Sequence, residues 1–402
     1  MWGVRARLAR VRRDDAVVRV RVPFDAGAAL GYLAVHLVPG VERLTVTSPA
    51  DGAPPTAGRV ERLVRTPDGG TALLVAELAD DQVVAHLARP DERAVPASQD
   101  PDAPGGPPTS AASGTGTPKP ATRDTATSGT ATSGTATSGT ATSGTGMSGT
   151  GTTGTTGAGR TGVGAADVAW VVPALERWFG LADDVAAAAE HLRRDEALRP
   201  LVAARPHLRV PGHVDGFEVA AQTVLGQQVS LAAARTFTGR LAEALGTPGP
   251  SGLTLFPDAA TVAAADPDAL RPVLRVPAAR VRTLVAVAAA CADGLDLSPA
   301  ADPDATRARL LALPGVGPWT ADYLALRALG DRDVLPAGDL VLRQAFALVP
   351  APELARRAVP WSPWRAFAAQ HVWSAALAAR LTRAAATSRA RGRRSPTARP
   401  RA

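Results

Sequence analysis

The sequence predicts a mainly α-helical protein, with a two-lobed helical core preceded by a small α+β segment. Three observations carry this reading. Apolar positions recur at helical spacing from Asp167 onward, in alanine-rich stretches broken by proline-containing turns. Near the N-terminus, Val18-Arg19-Val20-Arg21-Val22 alternates strictly, as a half-buried strand does. Late in the chain, Pro314-Gly315-Val316-Gly317-Pro318 interrupts a helical pattern that resumes through Ala321, Leu324, Ala325 and Ala328, which makes the unit helix, tight hairpin, helix.

In chain order, residues 17–96 read as an α+β domain. Arg62 to Thr66 and Thr71 to Val75 flank the turn Pro67-Asp68-Gly69-Gly70 as a hairpin, Asp25 to Leu37 supplies one helix and Asp80 to Leu87 a second. Residues 97–166 change character: after a Pro/Gly-rich start, a Ser-Gly-Thr-Ala-Thr unit repeats from Ser128 with no aromatic residue. Nothing there offsets ordering entropy, so this segment is expected to be a disordered linker. Residues 167–382 form the helical core, with Val219–Leu245, Ala278–Asp293, Asp302–Leu313, Thr320–Leu329 and Trp364–Leu381 as its plainest helices and the hairpin unit at 311–329. Residues 383–402 read as a basic disordered tail.

Composition narrows the function classes. No apolar run approaches the roughly 20 residues of a membrane span, and Arg5, Arg7, Arg10, Arg12 and Arg13 are not followed by a signal-peptide apolar block, so a cytoplasmic, nucleoid-associated monomer is expected. Cys291 is the only cysteine, which excludes an intramolecular disulfide and a four-cysteine cluster, and it reads as a buried small apolar residue. The net charge is +7, yet eight arginines and no acid lie from Arg380 to the end; 7 − 8 leaves about −1 for the rest. Bulk basicity therefore belongs to the tail, which would bind phosphates without sequence preference. In the core, any specific phosphate contact would rest on hairpin amides and on Arg327 or Arg343.

Two features carry chemistry. The hairpin glycines leave backbone N–H groups uncovered at a helix start, a ready anion site, although an ordinary helix–helix turn has the same composition. Asp339 precedes Leu340-Val341-Leu342-Arg343-Gln344 and suits either a helix N-cap or an acid facing the hairpin across a cleft. Asp322 and Glu218 are weaker acid candidates, the first as a solvated helix position and the second at a helix start.

The stretch Leu311 to Phe346 resembles the helix-hairpin-helix, Gly/Pro-rich loop and aspartate signature of base-excision DNA glycosylases, and within them the DNA-3-methyladenine glycosylase II (AlkA) type. Pro211 to Leu231 resembles the segment carrying that family's strand-wedging loop. Trp361-Ser362-Pro363-Trp364-Arg365 with Gln370-His371-Val372-Trp373 resembles its C-terminal helix, Trp178-Phe179-Gly180-Leu181 the start of its helical core, and Val22 to Asp25 with Pro39 to Glu42 its N-terminal domain.

The resemblance implies an enzyme that flips an alkylated base out of double-stranded DNA and hydrolyses its N-glycosidic bond. Asp339 would be the catalytic carboxylate, stabilising positive charge on the sugar. Trp319, Tyr323 and Trp373, with Tyr32 completing a wall, would form the base pocket, favouring cationic bases through stacking and cation–π attraction. Leu340, in the pocket, stands where a relative in that family has an aromatic next to the catalytic aspartate, Gln228 would fill the gap left by the flipped base, and Gly315, Val316, Gly317 and Thr320 would hold a phosphate. Core packing, for the aromatics, and a helix-surface amide, for Gln228, are the competing structural roles.

The position of the family's amine nucleophile is Trp319, and the only lysine of the chain is Lys119, within the linker. Water is therefore the expected nucleophile, without strand cleavage. No cofactor or catalytic metal is implied. The hairpin carbonyls allow a structural monovalent cation, and His371 reads as a hydrogen-bonded core histidine. Glycosylases for oxidised or deaminated bases and a non-catalytic DNA-binding module are the alternatives.

Overall fold

A computed structural model describes residues 16–47, 55–88, 165–249 and 251–392. The expected linker lies almost wholly outside them, as do residues 393–402. The described residues all fall in one compact unit.

Five antiparallel strands open the chain: β1 (Ala16–Arg21), β2 (Glu42–Thr47), β3 (Ala57–Arg65), β4 (Thr71–Ala79) and β5 (Gln82–Ala88), in the order β1-β5-β4-β3-β2. The β3–β4 hairpin closes through residues 66–70, with the Thr66 amide donating to Gly70 O at 3.0 Å. Helix α1 (Ala26–His36) is capped by Asp25, whose side chain accepts from the Ala28 amide at 2.7 Å. The second helix expected at Asp80–Leu87 is instead strand β5. Ala79 pairs directly with Gln82, so a two-residue turn folds the chain back and Val83, Ala85 and Leu87 enter the core at period two.

The helical part comprises α2 (Ala165–Phe179), α3 (Val185–Leu192), α4 (Arg199–Ala204), α5 (Gly216–Leu225), α6 (Leu231–Leu245), α7 (Ala259–Ala263), α8 (Pro267–Leu274), α9 (Ala278–Ala292) and α10 (Pro303–Leu311). After the hairpin come α11 (Pro318–Leu324), α12 (Leu340–Ala345), α13 (Ala351–Arg357) and α14 (Arg365–Gly392). The single helix expected over Val219–Leu245 is broken at Gly226, and Ser230 caps its second half. Helix α11 passes into a π-helical turn, Ala325–Leu329, ended by Gly330 at φ +74°. Helix α14 runs ten residues into the segment read as a disordered tail, because alanine and arginine are strong helix formers and no breaker precedes Gly392.

Three hydrophobic cores organise the unit. The sheet packs on α1 and α2 through Leu30, Leu74, Leu87, Leu175 and Trp178. One helical lobe gathers α5, α6, α9 and α11 around Val224, Leu241, Leu284 and Leu324. The other gathers α3, α4, α12 and α14 around Leu192, Val202, Leu342 and Phe367. Arginines staple the sheet region to the lobes: Arg205 pairs with Asp25 at 2.9 Å, Arg209 Nη2 donates to Pro23 O at 2.9 Å, and Arg235 Nε donates to Leu37 O at 2.6 Å.

A buried ion cluster joins the sheet to α5. Arg62 on β3 donates to Glu42 Oε1 at 2.7 Å and to Glu218 Oε2 of α5, its guanidinium lying over the Trp178 ring at 5.6 Å. Burial raises the Glu218 carboxyl, with Arg62 acting against it. The hairpin in turn packs on α9. Gly315 has φ +82°, and a Cβ there would lie 2.0 Å from Thr283 Oγ1, so both backbone conformation and space require glycine.

Two outcomes follow. Arg62→Met strands two buried carboxylates and is expected to lower the unfolding free energy by about 3–5 kcal/mol in guanidinium denaturation. Gly315→Ala should cost about 2 kcal/mol or more, measured the same way, and Thr283→Ala in the same chain should return part of it.

Candidate active site

Asp339 sits where the two helical lobes meet, bonded from α11 on one side and from α12 and α14 on the other. It is the N-cap of α12, with Oδ1 accepting the Leu342 amide at 3.0 Å. Two indoles also donate to its carboxylate: Trp373 Nε1 to Oδ1 at 3.0 Å and Trp319 Nε1 to Oδ2 at 3.2 Å. The cap and acid readings thus coexist in one residue. A carboxylate offers about four acceptor directions. Three are taken, and the free one is on Oδ2, so the group is held rigidly while keeping a lone pair for a sugar or a water.

The aromatic residues singled out in the sequence come together around this acid from three elements. Trp319 and Tyr323, four apart on α11, stack at 5.3 Å, and Tyr323 meets Trp373 of α14 edge-on at 6.0 Å. Tyr32 of α1 joins them through Arg327, whose guanidinium carbon lies 4.9 Å from the Tyr32 ring, 5.3 Å from Tyr323 and 5.2 Å from Trp373. Leu340 is not part of this group; it is 58% exposed beside Asp339.

Arg327 departs most from the sequence reading. It is 2% exposed and cannot reach a DNA phosphate. The π-helical turn carries it into the site, where Nη1 donates to Pro211 O at 2.6 Å and Nη2 to Gln370 Oε1 at 3.1 Å. Burial works against its charge, but the neighbouring Tyr32, Tyr323 and Asp339 favour it and keep its pKa above the usual value. Burial raises the Tyr32 hydroxyl and lowers His36, stacked on that ring at 4.0 Å, to about 4. The cation among the rings is therefore the protein's own, where the sequence reading put an alkylated base. Position 327 follows Trp319 and Tyr323 at a spacing of four, which puts all three on one helix face, and the packing of α1 and α14 against that face buries the guanidinium.

Next to this cluster lies the loop between α5 and α6. Gln228 is exposed and has φ +54°, a left-handed conformation uncommon for a side-chain-bearing residue. Gln227, unremarked in the sequence, locks that loop to the hairpin. Its Nε2 donates to Gly315 O and to Thr320 Oγ1, both at 3.1 Å, while its carbonyl accepts from Arg280 Nη2 at 2.7 Å. Only its place between Gly226 and the loop tip hinted at this.

The hairpin residues divide. Gly315 is exposed and Gly317 half-buried, whereas the Val316 side chain is buried and its amide bonds Leu313 O at 3.1 Å; Thr320 is buried and its hydroxyl engaged. Gly317 caps α11 without a side chain, in contrast to the aspartate or serine caps of α1, α3, α5, α6 and α12. An anion there would meet backbone amides, not side chains.

The other candidates have structural partners. Asp322 pairs with Arg307 at 2.8 Å, Glu218 with Arg62, and Arg343 Nε donates to Val349 O at 2.8 Å. His371 is buried with Nδ1 unbonded rather than hydrogen-bonded, and burial lowers it to about 4. The Cys291 thiol is half-buried and raised to about 12 by burial. Among the described residues, Glu42, His213 and Glu218 bring ligand atoms within 4.8 Å of one another, but Arg62 already bridges both carboxylates as their cation. No helix of the described residues is long and apolar enough to cross a membrane.

Known proteins place this arrangement. Residues 161–215 match the family model described as AlkA N-terminal domain, and residues 221–351 match HhH-GPD superfamily base excision DNA repair protein. The chain is 42% identical over 217 residues to a Mycobacterium tuberculosis protein named "Probable bifunctional transcriptional activator/DNA repair enzyme AlkA", covering 52% of this chain and 43% of that one. It is 39% identical over 181 residues to DNA-3-methyladenine glycosylase 2 of Escherichia coli, covering 44% of this chain and 64% of that one. The chain thus spans less than two thirds of either relative. In fold it is similar to a 3-methyladenine DNA-glycosylase from Archaeoglobus fulgidus, with a TM-score of 0.59, 14% identity, and coverage of 88% of this chain and 96% of that one. Residues 221–351, which hold the hairpin and the aspartate at the start of α12, are thus similar to the HhH-GPD superfamily of base excision DNA repair proteins.

Proposed function

We propose that the protein is a monofunctional DNA glycosylase that hydrolyses the N-glycosidic bond of alkylated bases, of the 3-methyladenine and 7-methylguanine type, in double-stranded DNA and leaves an abasic site. The observation that carries this reading is the Asp339 carboxylate, gripped by the indoles of Trp319 and Trp373 with one oxygen direction left free. A flipped nucleotide held against these rings would bring its anomeric carbon to that oxygen, where a fixed negative charge opposes the positive charge of the breaking bond. The chain's resemblance to DNA-3-methyladenine glycosylase 2 supports the same substrate class.

The remaining parts take roles around that step. Gln228, presented at the loop tip in a left-handed conformation, would fill the space vacated by the base, since backbone strain concentrates at sites of this kind. The uncapped start of α11 would receive a phosphate. With Trp319 at the amine position and the chain's only lysine at Lys119, water is the nucleophile and no Schiff base forms. The hairpin 314–318 contains no acidic residue or histidine, so a cation there would meet only backbone carbonyls, which suit a weakly held monovalent ion that positions the turn.

Asn caps a helix as well as Asp, so Asp339→Asn separates the two roles. Excision of 3-methyladenine and 7-methylguanine from alkylated duplex DNA is expected to fall by at least about a hundredfold, while the cap is kept and stability falls by only about 1–3 kcal/mol, the cost of leaving the Trp319 N–H without its acceptor. Unchanged excision would show that Asp339 is not the catalytic acid. Borohydride treatment during turnover is expected to trap no enzyme–DNA adduct; a trapped adduct would overturn the water mechanism.

A further inference from the structure

A buried guanidinium with no acidic partner stands within the rings of the base pocket. The acceptors of Arg327, Pro211 O, Gln370 Oε1 and the Tyr323 hydroxyl, are neutral, its Nε is buried without a hydrogen-bond partner, and Asp339 acts on it only through space. Among the described residues no carboxylate lies within salt-bridge distance of it. The Trp373 ring connects the two charges of the site, since its indole N–H donates to Asp339 while its face lies 5.2 Å from the Arg327 guanidinium carbon. Tyr323 is likewise shared, stacked on Trp319 and lying 5.3 Å from the guanidinium carbon. The negative charge thus stands at the indole N–H edge of the aromatic cluster and the positive charge among its ring faces.

This polarity matches the direction in which electrons move. When the bond between C1′ and the base nitrogen breaks heterolytically, its electron pair leaves with the base. Water then adds its oxygen to C1′ and releases a proton to solvent past Asp339. The base becomes more negative by one charge in either case: a cationic base leaves neutral and a neutral base leaves as an anion. A fixed positive charge on the base side favours both departures, because it is in place before the reaction and needs no reorganisation. The same charge opposes the binding of a base that arrives already cationic.

We propose that Arg327 is an electrostatic activator of the departing base, speeding bond cleavage for every lesion while weakening the binding of cationic ones. The proposal rests on the glycosylase reading and adds to it a second charge with an effect opposite in sign on binding and on chemistry. A residue that only held the rings in place would not divide the two in this way.

The test compares duplexes carrying 7-methylguanine, a cationic lesion, and hypoxanthine, a neutral one, in single-turnover excision and in binding. Arg327→Met is expected to slow cleavage of both by about tenfold or more, the scale of one charge acting across several ångströms at an effective dielectric near 20. It should also tighten binding of the 7-methylguanine duplex several-fold without tightening that of the hypoxanthine duplex. Arg327→Lys, which keeps the charge, should restore most of the rate. Unchanged cleavage, equal effects on the two binding constants, or no rescue by lysine would overturn the proposal. A wild type that excises neither lesion would remove the glycosylase reading and this inference with it, whereas an active wild type with indifferent variants removes only the inference.

If Arg327→Met does not unfold cooperatively, the wild type decides the matter through inhibition by free bases at mildly alkaline pH. Neutral 3-methyladenine should inhibit more strongly than the permanently cationic 3,9-dimethyladeninium. Equal or stronger inhibition by the cation would overturn the proposal.

Discussion

The arrangement depends on one buried arginine. Arg62 on the sheet holds Glu42 beside it and Glu218 on α5, and so sets where α5 starts relative to the sheet. From that anchor α5 runs to Gly226, and the loop beyond it is tied by Gln227 to the hairpin at Gly315 and Thr320. An ion pair taken out of water tolerates little displacement, because a shift leaves an uncompensated charge in the core. The small α+β segment is thereby part of the site's geometry, and it supplies Tyr32 as well.

A second consequence concerns how the site keeps its shape. Asp339 is held by a backbone amide from α12 and by indoles from α11 and α14, so three helices meet on one carboxylate. Around it the rings contact one another and Arg327. A site built this way is preorganised, with the hydrogen bonds and charges that would act on a sugar and a base present before either arrives.

Much of the fold was legible in the sequence. Period-two runs marked β1 and the β3–β4 hairpin, proline and glycine marked the hairpin before α11, and the family signature pointed to the aromatic residues that the structure gathers at Asp339. The misreadings share a cause. Asp80–Leu87 carries no local feature that excludes a helix, and pairing with β4 and β1 made it a strand. The helix break at Gly226 is a single glycine in a helical pattern, which local reasoning passes over. The short Arg/Ala-rich run after Leu381 has high helix propensity, and the helix already formed before it saves the cost of nucleation.

By itself the sequence determined the hairpin, the acid at the head of α12 and the lack of an amine nucleophile beside it, because glycine conformation, helix capping and lysine count are properties of a few adjacent residues or of composition. Only the tertiary structure decided which charges face one another. Arg327, offered by the sequence as a possible DNA contact of the core, instead lies among Tyr32, Tyr323 and Trp373, residues up to 341 positions apart (373 − 32). Electrostatic environment depends on distance and burial in space, and neither is encoded in the local pattern of a helix.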